Sequence, residues 1–114
     1  MRDSFIQEES VEKELNKIGV TAFSIRILLP KARFRLIKLH GINSGVANLL
    51  KQNMLSLGGD VAVKEGTFNC KQQKTDILIM GTSKQINELI YKMRISPLDG
   101  PRVGHRIKKL MNKW

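Results

Sequence analysis

The clearest hydrophobic pattern lies in the middle of the chain. Five apolar residues recur there at helical spacing: Val46, Ala47, Leu50, Met54 and Leu57. Because this spacing puts them on one face, the pattern predicts an amphipathic helix over residues 44–57. Gly58 follows directly and can adopt the left-handed conformation that ends a helix. A strand is expected over residues 60–63, so this stretch is predicted to be half of a βαβ unit.

Three further helices are predicted from similar spacing. The N-terminal one covers residues 10–18, with an apolar stripe of Val11, Leu15 and Ile18. Thr82 and Gln85 have the spacing of a capping box. The helix that they begin has an apolar face of Ile86, Leu89, Ile90 and Met93. The C-terminal helix has a stripe of Val103, Ile107, Leu110, Met111 and Trp114.

Strand signals are weaker. In residues 33–39, Phe34 and Leu36 alternate with arginines until the pattern slips at Ile37, which predicts a strand with one face buried and part of the other covered. Residues 76–80 form a continuous apolar run, as expected for a strand covered on both faces.

The remaining segments are less regular. Residues 20–29 fit either a strand or a buried helical turn, and Pro30 is expected to end that segment because the residue before a proline is pushed out of helical geometry. Residues 64–70 are interpreted as a short edge strand, and residues 71–74 as a polar turn or loop.

These elements predict an α/β fold, with α+β as the alternative. We expect a small mixed sheet of three to five strands, with at least one βαβ unit, a parallel pair and helices packed on the sheet. At 114 residues, with 41% hydrophobic residues, the chain is expected to form a single domain with one core.

Two stretches carry a resemblance to a known family. Residues 50–63 read Leu-Lys-Gln-Asn-Met-Leu-Ser-Leu-Gly-Gly-Asp-Val-Ala-Val, and residues 80–85 read Met-Gly-Thr-Ser-Lys-Gln. They resemble the patterns Leu-Lys-Gln-Glu-Met-Leu-Ser-x-Gly-Gly-Asp-Ala-Ala-Val and Met-Gly-Thr-x-Lys-Gln. These occur in the N-terminal extension that some bacterial and archaeal dihydropteroate synthase-type proteins carry ahead of their pterin-binding barrel. Asn53 and Val61 depart from the pattern, and the resemblance covers roughly residues 18–98.

The resemblance implies a setting in pterin or folate metabolism but supplies no catalytic residue. The pterin-binding and aminobenzoate-binding residues of that family would lie in the barrel. A (β/α)8 barrel takes about 250 residues, so this chain of 114 residues does not contain one.

Charge divides the chain into an acidic head and a basic body. Residues 1–19 carry three basic and five acidic side chains, whereas residues 20–114 carry 17 basic and five acidic ones. The head is expected to fold back on the body, and the body is expected to attract polyanions or an acidic protein surface. With no cleavable signal and no apolar run near the length of about 18 residues that a membrane span needs, we expect a cytoplasmic protein without membrane contact.

Motifs for catalysis and cofactor binding are missing from the sequence. Cys70 is interpreted as a loop or edge-strand residue, and His40 and His105 as structural or surface residues. There is no nucleophile elbow, Walker loop or dinucleotide fingerprint. We therefore expect neither a cofactor nor an enzyme activity of the domain by itself.

Two loops nevertheless form a candidate anion or partner site. If both preceding strands end where expected, backbone N–H groups at two strand-to-helix loops could face an anion, with lysines nearby. The candidate residues are Gly41, Asn43, Ser44, Lys51, Gln52, Gly81, Thr82, Ser83, Lys84 and Gln85. These residues are explained equally well if they merely end the strands and cap the helices. The anion site is expected only if the candidate residues lie close together at one end of the sheet.

The C-terminal helix supplies a candidate basic surface of Arg102, Arg106, Lys109 and Lys113. Two hypotheses follow. The domain is an accessory module that docks to a pterin-binding barrel protein, or it is a nucleic-acid-binding module that uses its basic surface. Phosphate-driven binding falls steeply with salt, whereas docking through an apolar patch does not.

Overall fold

The computed structural model describes residues 2–65 and 73–113. These residues form helices and a small sheet, which confirms the α/β class. The elements in chain order are a 3-10 turn at Glu8–Ser10, α1 (Val11–Ile18), α2 (Ala22–Ala32), β1 (Phe34–Asn43), α3 (Ser44–Leu57), β2 (Asp60–Val63), β3 (Lys74–Thr82), α4 (Ser83–Arg94) and α5 (Gly100–Met111).

The predicted helix ends are formed by the expected residues. Gly58 has φ +96° and closes α3, with its N–H donating to the Leu55 carbonyl. At the start of α4, the Thr82 hydroxyl accepts from the Gln85 N–H and the Gln85 side chain accepts from the Thr82 N–H, so the capping box is complete. Gly19, at φ +96°, ends α1 in the same way as Gly58 ends α3.

The segment that the sequence left open is helical, and Pro30 does not end it. Thr21 caps α2 by accepting a hydrogen bond from the Ser24 N–H, and the helix continues past the proline to Ala32. The proline ring fixes φ near its helical value and removes one N–H donor. Because Pro30 lies in the last turn, only the bond to the Arg26 carbonyl is lost, and the expectation that it stops the helix was wrong.

The three strands lie in the order β1-β3-β2, and both hydrogen-bonded pairs are antiparallel. The crossover through α3 returns the chain in the same direction, so β1 and β2 are parallel, as a βαβ unit requires. However, β3 lies between them. The expected hydrogen-bonded parallel pair is therefore absent from this sheet, because the last strand inserts into the βαβ unit.

Helices cover one face of the sheet and create the core there. The strands contribute the inward residues Ile37, Leu39, Val61, Ile77 and Ile79. Apolar residues of α3 and α4 pack on them, and Val103 and Ile107 of α5 complete the core. Among the described residues, no helix combines the length and the apolar character needed to cross a bilayer.

Several sequence predictions concern residues outside 2–65 and 73–113. Cys70 and Trp114 lie outside the described residues, as does most of the edge strand predicted over residues 64–70. Of that segment only Lys64 and Glu65 are described, and neither is in a strand. The polar turn predicted over residues 71–74 is also largely outside them, although Lys74 already begins β3.

Candidate functional site

The two loops of the candidate anion site lie at opposite ends of the sheet. Asn43, at the end of β1, is paired with Lys74, whereas Thr82, at the end of β3, is paired with Phe34. These pairs are eight positions apart along β3, or about 27 Å at the usual rise of a strand. Because β1 and β3 are antiparallel, their carboxyl ends point in opposite directions, so the candidate residues do not converge.

At the first loop, the candidate residues have local partners. The Asn43 side chain accepts from the Gly45 N–H at 2.8 Å and caps α3. Gly41, at φ +66°, lies at an irregularity in the β1–β3 register and donates its N–H to Asp76 at 3.1 Å. Ser44 is buried, and its N–H donates to the Gln73 carbonyl.

At the second loop, the candidate residues again have partners within the fold. Ser83 donates its N–H to the Arg33 carbonyl at 2.7 Å and is buried, while Lys84 forms an ion pair with Glu88 one turn along α4. Gln52 is exposed on α3, with its amide 3.5 Å from that of Asn48.

Residues 50–63 and 80–85 meet in a tightly packed cluster, which we call the glycine cluster. Its members are Met54, Gly58, Gly59, Gly81 and Gln85. A Cβ at Gly59 would lie 2.7 Å from the Met80 carbonyl oxygen, and one at Gly81 would lie 2.6 Å from the Met54 methyl carbon. Both positions are therefore too close to their neighbours for a side chain.

Gln85 connects the helices on either side of this cluster. Its side-chain oxygen accepts from the Thr82 N–H at 2.9 Å, and its side-chain nitrogen donates to the Leu57 carbonyl at 3.1 Å. One amide thus caps the start of α4 and the end of α3. The spacing of the quoted motifs is accounted for by these contacts, which hold the scaffold together.

Lys51 occupies the free edge of β2. Its ammonium group donates to Asp60 at 3.0 Å and to the Val61 carbonyl at 2.9 Å. The bond from Lys51, together with one from the Val61 N–H, holds the pKa of Asp60 below its usual value. This lysine is therefore engaged at the sheet edge by Asp60, whose strand partner is Met80.

The sheet face opposite the helices is uncovered, and we call its apolar part the open face; Lys38 and Asp76 continue the same outward rows of β1 and β3. The open face comprises Phe34, Leu36, Ala62, Leu78 and Met80. The side chains of Phe34 and Leu36 are 51% and 64% exposed, and those of Leu78 and Met80 are half-buried. The expectation that β3 is covered on both faces was wrong, because the helices pack on one face only.

The buried face of β1 is not the one that its first residues indicate. Ile37 and Leu39 point into the core, whereas Phe34 and Leu36 point outward. The slip in the sequence pattern at Ile37 marks the point where the inward face becomes apolar, and Arg35 precedes it on that same face. An uncovered apolar face could have been found from this slip, since both faces of β1 contain apolar residues.

A cationic groove runs between β1 and α5 and has a volume of about 570 Å³. Its basic lining residues are Lys38, His40, Arg106, Lys109 and Lys113. Three of the four residues of the predicted basic surface therefore lie together, whereas Arg102 is highly exposed beside Asp99, at 3.7 Å. Lys38 and His40 were missed as partners of the helix, because only the tertiary fold brings β1 alongside α5.

Asp76 pairs with His40, the lining residue of this groove that lies at the irregularity in β1. One carboxylate oxygen accepts from the Gly41 N–H at 3.1 Å, and the other lies 3.2 Å from His40 Nδ1. The bond from Gly41 and that from His40 hold the pKa of Asp76 below its usual value.

The acidic head contacts the basic body through Glu8. Its carboxylate accepts from the Phe34 N–H at 2.6 Å and from the Arg35 guanidinium at 3.1 Å. The backbone bond from Phe34, together with the Arg35 contact, lowers the pKa of Glu8. The expected folding back of the head is thus present at one specific point, the start of β1.

No group of three or more His, Cys, Asp or Glu side chains that could hold a metal ion occurs in residues 2–65 and 73–113. No protein-family model, curated protein or solved structure matches the chain.

Proposed function

We propose that this protein is a non-catalytic docking domain that binds a pterin-binding barrel protein through its open face. The observation that carries the proposal is the uncovered apolar face of the sheet. The outward face of an antiparallel sheet is ordinarily polar when it contacts water. Here the outward positions of β1 and β3 include Phe34, Leu36, Leu78 and Met80. Contiguous exposed apolar surface of this kind is typical of protein interaction sites.

The choice of partner rests on the family resemblance. In that family the corresponding segment precedes a pterin-binding barrel, so a barrel surface is the natural occupant of the open face. The quoted motif residues support this assignment in an indirect way. They form the glycine cluster and the Gln85 contacts, which fix the relative positions of α3, β3 and α4 and so give the open face its shape.

Calorimetric titration of the domain into a purified dihydropteroate synthase barrel from the source organism tests the proposal. We expect saturable binding whose affinity changes only a few-fold between low and moderate salt, because apolar contact dominates. A variant combining Phe34→Gln with Leu36→Gln should weaken binding by at least about tenfold, since central apolar contacts contribute most of an interface's affinity.

The matched control is Leu55→Gln, which removes an apolar side chain of similar exposure, 52%, from α3. It should leave binding unchanged. The proposal is contradicted if the barrel does not bind, or if the control and the open-face variant weaken binding equally while both proteins remain folded.

A further inference from the structure

β1 is an edge strand, so its backbone N–H and C=O groups point alternately toward β3 and toward the free edge of the sheet. The Ser83 N–H donates to the Arg33 carbonyl, so residues 33 and 83 are a hydrogen-bonded pair. Bonded and non-bonded pairs alternate along antiparallel strands. Residues 35, 37 and 39 therefore bond to β3, whereas the N–H and C=O groups of residues 34, 36, 38 and 40 point to the free edge.

The two ends of this edge are capped by side chains. At one end, the Phe34 N–H donates to Glu8, and the Phe34 carbonyl accepts from Arg35 at 3.0 Å. At the other end, the His40 carbonyl accepts from Arg106 at 3.1 Å. Both sets of contacts agree with the alternation and leave only the middle of the edge open.

In that middle section, the N–H and C=O groups of Leu36 and Lys38 have no hydrogen-bond partner among the residues that the structure describes. An unpaired strand edge is a ready template for another strand. The section lies in the cationic groove and in its continuation along Leu36, Ile37, Leu110 and Lys113.

The groove also has a definite charge. Lysines of both β1 and α5 line it together with Leu39 and Leu110, and among the described lining residues there is no carboxylate, although Asp76 pairs with His40 at one end. A segment lying along the β1 edge would thus have cations on both flanks. Because side chains of an added strand alternate between two sides, acidic residues would meet one flank or the other.

We propose that the Leu36–Lys38 edge binds an extended acidic segment of a partner protein as an added strand. The backbone of the segment pairs with the N–H and C=O groups of Leu36 and Lys38, and its carboxylates contact Lys38, Lys109 and Lys113. Such pairing supplies affinity through main-chain bonds and selectivity through the flanking side chains. This site adjoins the open face and shares Leu36 with it, but it uses the backbone edge of β1, whereas the open face uses the outward apolar side chains.

A peptide fits this edge better than a nucleic acid for a chemical reason. Phosphate oxygens accept hydrogen bonds and could use the two N–H groups, but they would leave the carbonyls of Leu36 and Lys38 unpaired. A peptide backbone supplies both donors and acceptors at the spacing of a strand. Among the described residues, the groove lining contains no Phe, Tyr or Trp side chain on which bases could stack, and its one ring, His40, is paired with Asp76.

The test uses 15N-labelled protein and a blocked peptide, Glu-Thr-Glu-Val-Glu-Thr, at low salt. Binding as an added strand should slow hydrogen exchange of the Leu36 and Lys38 amides by at least tenfold. The Ile37 and Leu39 amides, which already face β3, should change little. A peptide of the same sequence with alternate backbone nitrogens methylated keeps its charge but loses donors, and it should bind at least tenfold more weakly.

Charge reversal provides a second readout that does not depend on exchange. Lys109→Glu with Lys113→Glu should raise the peptide Kd at least tenfold. Lys108→Glu, on the same helix but outside the groove lining, is the matched control and should change the Kd less than twofold. The amide spectrum of each variant establishes that it is folded.

Three results would overturn the proposal. The first is no binding of the peptide at millimolar concentration. The second is equal binding of the methylated and unmethylated peptides, which would mean that charge alone holds the ligand. The third is a single-stranded oligonucleotide that binds more tightly than the peptide, displaces it and leaves the Leu36 and Lys38 amides unprotected, which would make the groove a nucleic-acid site.

Discussion

At the scale of single residues, Gly59 is the described glycine whose added Cβ would lie closest to its neighbours. A Cβ there would contact the Met54 methyl group and lie 2.7 Å from the Met80 carbonyl oxygen, which is backbone and has little room to move. We predict that Gly59→Ala lowers the free energy of unfolding by about 1–3 kcal/mol, the usual cost of overpacking. Urea unfolding of the purified variant measures this change.

Gly41→Ala is the comparison for this prediction. A Cβ at Gly41 would meet no atom within 4 Å, but the residue has φ +66°. Its replacement should therefore cost only the left-handed conformation, about 1 kcal/mol. A Gly59 variant as stable as the wild type would mean that the glycine cluster repacks freely around a methyl group.

At the scale of elements, the end of α3 and the start of α4 are coupled through one side chain. Thr82→Ala removes a cap and should lower the free energy of unfolding by about 1 kcal/mol. Gln85→Ala should cost more, because it leaves both the Thr82 N–H and the Leu57 carbonyl without this partner. Thermal or urea unfolding of the two variants gives the order, and an equal or reversed order would show that the bond to Leu57 contributes nothing.

The same elements indicate what could be predicted from sequence. The capping box at Thr82 and the glycine after α3 depend on residues within a few positions of each other, so local spacing was sufficient. The position of β3 between β1 and β2 depends on pairing partners distant along the chain, such as Ile37 with Ile79 and Val61 with Ile79. No local pattern encodes this strand order. The prediction that the two loops converge was wrong because it assumed that β1 and β3 are parallel.

The groove illustrates the same limit for the functional surface. The cations of α5 were visible as a helical stripe, but Lys38 and His40 belong to a strand more than 60 positions earlier. Their approach to α5 is a property of the tertiary fold, as is the bond from Arg106 to the His40 carbonyl. The basic residues of α5 therefore form only one side of the cationic groove, and β1 forms the other.

At the scale of the whole molecule, the acidic head is tied to the basic body by a contact that depends on pH. The lowered pKa of Glu8 means that the folded state holds its proton less tightly than the unfolded chain. The contact thus stabilises the fold fully above the unfolded pKa of about 4.5, and this stabilisation is lost as pH falls through the lower folded pKa. Asp60 and Asp76 act with the same sign, so acid should weaken the protein.

We therefore predict that Glu8→Gln reduces the loss of stability on acidification, because the folded and unfolded states of the variant no longer differ in proton binding at this position. The measurement compares urea midpoints at pH 7 and pH 3 for the wild type, Glu8→Gln and the neighbouring Glu9→Gln. Glu8→Gln should lower the midpoint at pH 7, and its difference from the wild type should be smaller at pH 3, because the stabilisation by the carboxylate is lost progressively as pH falls below 4.5. Glu9 is exposed on the same turn and serves as the charge-matched control. If both variants shift the pH 7 midpoint equally, the head acts only through its net charge, and the specific contact of Glu8 with the start of β1 does not stabilise the fold.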